Sequence, residues 1–207
     1  MQEQIPQREE ILAAAQSLYE THNYRDISLK DISEVTSFSR PTIYNYFHTK
    51  EEIFLGLITR EYDSWAAEMY EWVSASSTSG KVITRENFAE LVAGSLEKRE
   101  LMLKLISSNL TDLEEGASQE CIDEFKRSYG ATLSAMNAVL KVVDSNVGKK
   151  KRENFIYAFF PFLYGIWPYV HATKKQQLGL EHALVKFELH SVHDLVRNLV
   201  DQLLIKG

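Results

Sequence analysis

Apolar side chains recur at helical spacing along almost the whole chain. From Ile11 to Tyr19 they fall at positions i, i+1, i+4, i+7 and i+8, which predicts an amphipathic helix over about residues 7–21. The four prolines and nine glycines among 207 residues leave room for long helices, and no convincing run of alternating apolar and polar residues indicates a strand. Further helices are predicted over about 50–73, 84–97, 99–110, 118–145, 152–174 and 181–205.

Stretches rich in serine, glycine and charge predict the connections between these helices. The clearest loop is SASSTSG at 74–80. The other predicted connections are TDLEEGAS at 111–118, DSNVGKK at 144–150 and KKQQLG at 174–179. The predicted fold is therefore all-α.

Two short helices are predicted to follow the first one. Ser28 with Asp31 three residues later resembles a capping box, which favours the start of a second helix at this point. Ser39 is the predicted N-cap of a third helix over about 40–46. Pro41 falls in the first turn of that helix, where its missing N–H costs nothing and its fixed φ is favourable.

The third predicted helix has two turns and is too short to be stable by itself. We therefore expect Ile43 and Phe47 to be buried against the first two helices. Its other faces would then carry hydrogen-bond donors and flat rings, a combination that suits a partner surface better than water. These residues are Arg40, Thr42, Tyr44, Asn45 and Tyr46. A plain solvated face of a helical bundle is the alternative interpretation.

Three short helices with donors on the third describe a helix-turn-helix. The region also resembles the N-terminal domain of the TetR family of bacterial transcriptional regulators. The resemblance covers about residues 7–60 and is carried by REEILAAAQSLYETHNY and SLKDISEVTSFSRPTIYNYFHTKEEIF. Two positions depart from the family pattern, since Ser37 and Pro41 stand where glycine is common. We expect Ser37 to adopt the turn at modest strain.

The resemblance implies a domain organisation and a function. A helix-turn-helix DNA-binding domain would occupy residues 1–50, with its motif at about 28–47. A larger helical domain for ligand binding and dimerisation would occupy residues 51–207, with the fourth helix (about 50–73) as the connecting lever. The protein would be a homodimeric repressor that a small apolar effector releases from a double-stranded DNA operator.

The resemblance also implies roles for individual residues in the motif. The candidates for reading bases are Arg40, Thr42, Tyr44 and Asn45, whose side chains suit the edges of the major groove. The candidates for contacting phosphates are Ser28, Lys30, Ser39, Tyr46, His48 and Lys50.

An aromatic run at 155–170 holds eight of the 23 aromatic residues. Its rings, together with apolar residues of the fourth and fifth helices, predict a ligand pocket, and plain core or dimer packing is the alternative. The candidate pocket residues are Trp65, Met69, Trp72, Phe88, Phe159, Phe162, Tyr164 and Trp167. An apolar stripe on the last helix predicts the dimer interface at Val192, Leu195, Leu199 and Leu203.

Composition narrows the function classes further. The net charge of -6 argues against a protein that coats nucleic acid without specificity. The single cysteine, Cys121, fits a reducing compartment, and neither a signal peptide nor a membrane span is evident, so we expect a cytoplasmic protein. His190 and His193 lack further metal ligands, and no phosphate loop or nucleophile motif indicates an enzyme or a cofactor. The alternatives are a TetR-like protein that acts through protein partners and a helical lipid-binding protein or enzyme.

Overall fold

The computed structural model describes residues 4–80, 82–186 and 188–205, and within this part the chain is helical without any strand. The all-α prediction is confirmed. The helices are α1 (Gln4–Thr21), α2 (Leu29–Glu34), α3 (Arg40–Ile43), α4 (Lys50–Ser79), α5 (Arg85–Glu97), α6 (Glu100–Ser108), α7 (Leu110–Gly116), α8 (Gln119–Val143), α9 (Lys149–Val170), α10 (Lys174–His182) and α11 (Val192–Ile205). A short 3-10 turn, Tyr24–Asp26, lies between α1 and α2. None of the described helices is long and apolar enough to cross a membrane.

The described residues fall into two compact units that are discontinuous in sequence. The first unit comprises Met1–Asp63 and Asn109–Gly130, and the second comprises Ser64–Ser108 and Ala131–Gly207. The predicted boundary at residue 50 is the first residue of α4, whose first part belongs to the first unit.

The first unit buries one side chain or more from each of its helices. Phe54 of α4 is fully buried, and the rings of Tyr19 and Tyr24 meet it edge-on at centroid distances of 5.5 and 5.0 Å. Leu113 of α7 and Phe125 of α8 are fully buried in the same unit. Segments from both parts of the sequence therefore build one core.

The second unit is packed around aromatic rings. Its α11 packs against α5 and α9, and α6 packs against α9. Trp65 is fully buried, lies 5.7 Å from the ring of Phe160, and donates its indole N–H to Ser95 Oγ at 3.1 Å. Because that polar group has a partner, the ring is buried without an unpaired donor.

The predicted loop at 74–80 is wrong, because α4 continues to Ser79. The hydroxyls of Ser77 and Thr78 donate to the carbonyls of Val73 and Ser74, at 3.0 and 2.9 Å. These polar side chains are thus satisfied within the helix instead of competing with it. The helix ends where Gly80 adopts a φ of +65°, a conformation that glycine tolerates without strain.

The predicted connection at 111–118 is also wrong, since most of it forms α7. Asp112 and Glu115 face solvent and Glu114 is half-buried, while Leu113 anchors the helix by being fully buried. A single apolar residue among acids did not stand out as a helical pattern.

The predicted helix over 181–205 is wrong in its first part, because α10 ends at His182 and α11 begins only at Val192. The predicted connection KKQQLG is also wrong, since it lies in α10, which begins with a capping box between Thr173 and Gln176. After α10 the chain turns at Leu184, with a φ of +55°. A separate helix then begins. Ser191 Oγ accepts the backbone N–H of Asp194 at 3.0 Å, which caps the start of α11.

The predicted helix over 152–174 corresponds to α9, which begins at Lys149 and contains both Pro161 and Pro168. Each proline is exposed, so the carbonyls that lose a helical partner lie on the exposed side of the helix.

Candidate nucleic-acid interface

The turn between α2 and α3 is closed by side chains on both sides. The Glu10 carboxylate of α1 accepts the backbone N–H of Ser37 at 2.6 Å, and Thr36 Oγ1 accepts the N–H of Phe38 at 3.3 Å. Hydrogen bonding to Ser37 lowers the pKa of the Glu10 carboxyl. Leu184 is the non-glycine residue with a positive φ in the described part of the chain, so the expected strain at Ser37 is absent.

α2 begins with the predicted capping box. Ser28 Oγ accepts the N–H of Asp31 at 3.3 Å, and the Asp31 carboxylate accepts the backbone N–H of Ser28 at 2.8 Å. The Ser28 hydroxyl also donates to that carboxylate, which holds the pKa of Asp31 below its usual value. Ser28 is therefore occupied in this conformation, and a phosphate would have to compete with Asp31 for its hydroxyl.

α3 is held by its two predicted anchors. Ile43 and Phe47 are buried, as expected from the sequence. The guanidinium of Arg8 lies 5.3 Å from the centroid of the Phe47 ring and donates to both oxygens of Glu124, at 3.0 and 2.8 Å. A cation held by two hydrogen bonds thus covers the ring that fixes α3.

The predicted third helix is shorter than expected. Regular α-helix ends at Ile43, and the chain continues as a tight turn in which Asn45 N–H donates to Thr42 O at 3.1 Å and Tyr46 N–H to Ile43 O at 2.9 Å. Ser39 occupies the N-cap position, but its hydroxyl bonds to Thr42 Oγ1 at 2.9 Å rather than to a backbone N–H.

The base-reading candidates lie together on the exposed side of this short helix and turn. Arg40, Tyr44 and Asn45 are exposed, and Thr42 is half-buried. In the described residues, neither Arg40 nor Asn45 has a side-chain hydrogen bond or an ion pair. Two multi-donor side chains are therefore free on a surface whose backbone is anchored.

The phosphate candidates divide into exposed and occupied groups. His48 is exposed, and Lys30 is exposed with its ammonium 3.6 Å from Glu34. Lys50 is half-buried, lies 4.1 Å from the Tyr24 ring centroid, and donates to the Tyr24 carbonyl at 2.9 Å. Burial lowers the pKa of Lys50. Tyr46 is half-buried beside Phe47 in sequence.

Sequence reasoning missed a polar contact behind this surface, which we call the Glu52 brace. The Glu52 carboxylate, 4% exposed, accepts the backbone N–H of His48 at 2.6 Å and that of Ser118 at 3.2 Å. Thr49 Oγ1 donates to the Gly116 carbonyl at 3.0 Å. Burial alone would raise the pKa of Glu52, but these N–H groups hold it below its usual value. The sequence did contain one signal for this contact. Glu52 is an acid in the first turn of α4, four residues after His48, where it can accept a backbone N–H.

The candidate pocket residues lie in the second unit. Those that are fully buried are Trp65, Met69, Phe88 and Phe159, and those that are half-buried are Trp72, Phe162, Tyr164 and Trp167. Phe155 connects Phe88 and Phe159, with centroid distances of 6.0 and 5.4 Å. That these rings line a ligand cavity stays a prediction.

The other candidates from the sequence are placed as follows. Val192 is buried, and Leu195, Leu199 and Leu203 are half-buried, so part of the apolar stripe of α11 serves the interior of its own chain. His193 lies 2.9 Å from Glu90, and no group of three metal-ligating side chains occurs in the part of the chain that the structure describes.

Two kinds of relatives share parts of the sequence. The chain is 48% identical over 48 residues to the HTH-type transcriptional regulator EthR of Mycolicibacterium smegmatis, which covers 23% of this chain and 22% of that protein. It is 30% identical over 93 residues to the HTH-type transcriptional repressor AcnR of Corynebacterium glutamicum, which covers 45% of this chain and 42% of that protein. The chain thus matches between about a fifth and two fifths of the length of these relatives.

Solved structures share the fold over almost the full length. The fatty acid degradation regulator FadR from Bacillus halodurans superposes with a TM-score of 0.61 at 14% identity, covering 96% of this chain and 95% of that one. A TetR transcriptional regulator from Rhodococcus sp. RHA1 gives 0.60 at 12% identity, covering 98% of each chain. At such identities the likeness concerns the fold alone.

Family sequence profiles match both parts of the chain. Residues 11–57 match the bacterial regulatory proteins of the tetR family, and residues 59–196 match the tetracyclin repressor-like C-terminal domain. The second match alone covers more than half of the chain. With the helix-turn-helix and the all-helical fold already described, this chain belongs to the tetR family of bacterial regulatory proteins.

Proposed function

We propose that this protein is a sequence-specific DNA-binding transcriptional repressor that acts in the bacterial cytoplasm. The observation that carries the proposal is the pair of free side chains, Arg40 of α3 and Asn45 of the turn that follows it, on an anchored surface. Arg offers a bidentate contact to guanine and Asn to adenine in the major groove. The names of EthR and AcnR as a regulator and a repressor support the same function.

A gel shift with the DNA upstream of its own gene tests the proposal. Replacement of Arg40 or Asn45 by Ala should weaken specific binding by about 1–3 kcal/mol for each lost base contact, and should relax the preference at that base pair. Arg127→Ala is the matched control, because Arg127 is an exposed arginine on α8 rather than α3. Wild-type affinity in both α3 variants would contradict the proposed reading surface.

Lys30 offers a test of phosphate contact that is separate from base reading. Because its side chain is exposed and pairs with Glu34 only at 3.6 Å, its removal disturbs little else. Lys30→Ala should weaken binding to all DNA sequences by similar factors and lower the slope of log affinity against log salt by about one. An unchanged slope would remove Lys30 from the phosphate contacts.

We further propose that the protein acts as a homodimer built from α9 and α11 of each chain. One face of α9 is exposed and rich in rings and small residues: Tyr157 is 77% exposed and Tyr169 is 60% exposed, with Pro161 and Gly165 between them. Two DNA-binding domains, one from each chain, are needed to bind two half-sites at once. Sedimentation should show Tyr157→Glu as a folded monomer, and a folded dimer would move the interface elsewhere.

The release of DNA by a small apolar effector belongs to the same proposal. Support comes from the ring-rich interior of the second unit, where apolar surface dominates and few charges intervene. Such an effector acts through its different affinity for the DNA-competent and DNA-incompetent states, with α4 as the lever between them. Loss of the gel shift on adding a compound that raises the melting temperature would support it.

A further inference from the structure

The second unit contains a cavity of about 230 Å³ that the proposed function does not use. It lies between the start of α5, the end of α8, the start of α9 and the end of α11. One part of its lining is apolar, and the other part carries mostly cationic side chains.

The apolar wall comes from three helices. Leu140 and Phe155 are buried, and Val143, Leu203 and Leu204 are half-buried with part of their surface toward the cavity. An apolar cavity of about 150 Å³ holds benzene, whereas pockets for drug-sized ligands begin at about 300 Å³. The cavity therefore suits a ligand between those sizes.

The polar part of the lining carries three cations and one carboxylate: Arg85, Lys151, Arg152 and Asp144. Arg85 pairs with Asp144 at 3.1 Å, and Arg152 Nε donates to Asn137 Oδ1 at 2.8 Å. Lys151 is exposed, and its side chain has no hydrogen bond or ion pair among residues 4–80, 82–186 and 188–205, although its charge acts on the Asp144 carboxylate. Three cations against one carboxylate leave a positive excess beside the apolar wall. This local excess stands out because the whole chain has a net charge of -6.

We propose that this cavity binds an amphipathic monocarboxylate. The ligand's carboxylate would accept hydrogen bonds from the Lys151 ammonium and from guanidinium N–H groups of Arg85 that do not bond to Asp144. The apolar part of the ligand would cover Val143 and Phe155. A neutral apolar ligand would not use the positive excess of the lining, and a small polar anion would leave the apolar wall unfilled.

The site is distinct from the predicted pocket at the rings around Trp65. Phe155 is the residue that connects the two regions, because its other side contacts Phe88 and Phe159. The binding claim does not rest on the proposed function and can be measured without DNA.

Isothermal titration of the full chain with octanoate tests the site. Octanol has the same chain without the charge, and acetate has the same charge without the chain. Octanoate should bind at least about tenfold more tightly than either, since the cationic and apolar contacts then act together. Equal affinities for octanoate and octanol, or no octanoate binding, would overturn the proposal.

Two substitutions sharpen the test. Lys151→Glu should weaken octanoate binding by about tenfold or more by placing like charges together. Lys150→Glu is the matched control, because Lys150 is the exposed neighbour that does not line the cavity, and it should change the affinity less than about twofold. Equal effects of the two variants would overturn the site.

A volume variant gives an independent readout. Val143→Trp should fill the cavity and abolish octanoate binding while circular dichroism keeps its helical signal, and retained binding would overturn the site. Octanoate binding that depends on Lys151, in a protein that fails to shift its own upstream DNA, would support this site and contradict the proposed function.

Discussion

Both units bury aromatic rings, but in the first unit directional polar contacts also fix the segments that carry α3, whereas in the second unit the rings themselves fill most of the interior. Arg8 bonds to Glu124 through two nitrogens, and Glu52 accepts two backbone N–H groups. Trp65 and Phe159 are fully buried with rings as neighbours. Hydrogen bonds depend on direction and apolar burial does not. The contacts of the first unit can thus fix the position of an exposed surface. The stability of the second unit depends mainly on how completely side chains fill its interior.

The largest effect is expected from removing a ring in the second unit. Phe159→Ala should lower the free energy of unfolding by about 3–5 kcal/mol, because the cavity left behind closes only in part. Urea denaturation at fixed protein concentration measures the loss, which should be the same at pH 5 and pH 7. Tyr70→Ala is the control, since Tyr70 is 46% exposed on α4 and its loss should cost less than about 1 kcal/mol.

A smaller effect that depends on pH is expected in the first unit. Glu52→Gln removes the charge that accepts two N–H groups and should cost about 1.5–3 kcal/mol at pH 7. Because the native pKa of Glu52 is lowered, its contribution is full above its usual value of 4.5 and is lost as the pH falls through the native value. The difference between wild type and variant should therefore shrink below pH 4.5.

The control for this pH dependence is Glu115→Gln, an exposed acid of α7. It should leave the free energy of unfolding nearly unchanged at every pH. A wild-type-like Glu52→Gln variant at pH 7 would contradict the role of the Glu52 brace.

Gly116→Ala tests how tightly the brace is packed. A Cβ at Gly116 would collide with Glu51 Cγ and lie 2.9 Å from Glu51 Cβ, closer than real contacts allow, and a tight 3.1 Å from Glu51 Cδ. Glu51 accepts a hydrogen bond from the Tyr24 hydroxyl at 2.6 Å, so its displacement disturbs the contact between the 3-10 turn and α4. We expect a loss of about 1–3 kcal/mol in unfolding and weaker DNA binding in the gel shift. Unchanged stability would show that Glu51 can move away from the added Cβ at no cost.

The smallest effect has the opposite sign. Gly94 lies inside α5, and a Cβ at this position would meet nothing within 4 Å. Gly94→Ala should stabilise the protein by about 0.5–1 kcal/mol through helix propensity, as thermal unfolding would show. Destabilisation would mean that the second unit has less room at α5 than its contacts indicate.

Features set by neighbouring residues were predictable from the sequence. The capping box at Ser28, the start of α3 at Pro41 and the burial of Ile43 and Phe47 all depend on residues within one or two turns. The exposed position of Arg40 and Asn45 follows from that burial, because the two sets occupy opposite sides of the short helix and the turn that continues it.

Features set by distant residues were not predictable. The Glu52 brace joins Glu52 to Ser118, 66 positions away, and no local pattern announces such a pair. The loop prediction at 74–80 failed because composition alone does not reveal hydroxyls that bond back to helix carbonyls. The break after α10 depends on Leu184 in a left-handed conformation, for which leucine gives no signal.

The grouping of residues 109–130 with the N-terminal helices limits how this protein can exchange parts in evolution. A chimera that joined residues up to 63 to the body of another regulator would leave behind Glu124, Phe125 and the Gly116 carbonyl. Arg8 would then lack its carboxylate, and Thr49 its acceptor. Recombination that preserves these contacts must therefore carry two separate stretches of sequence.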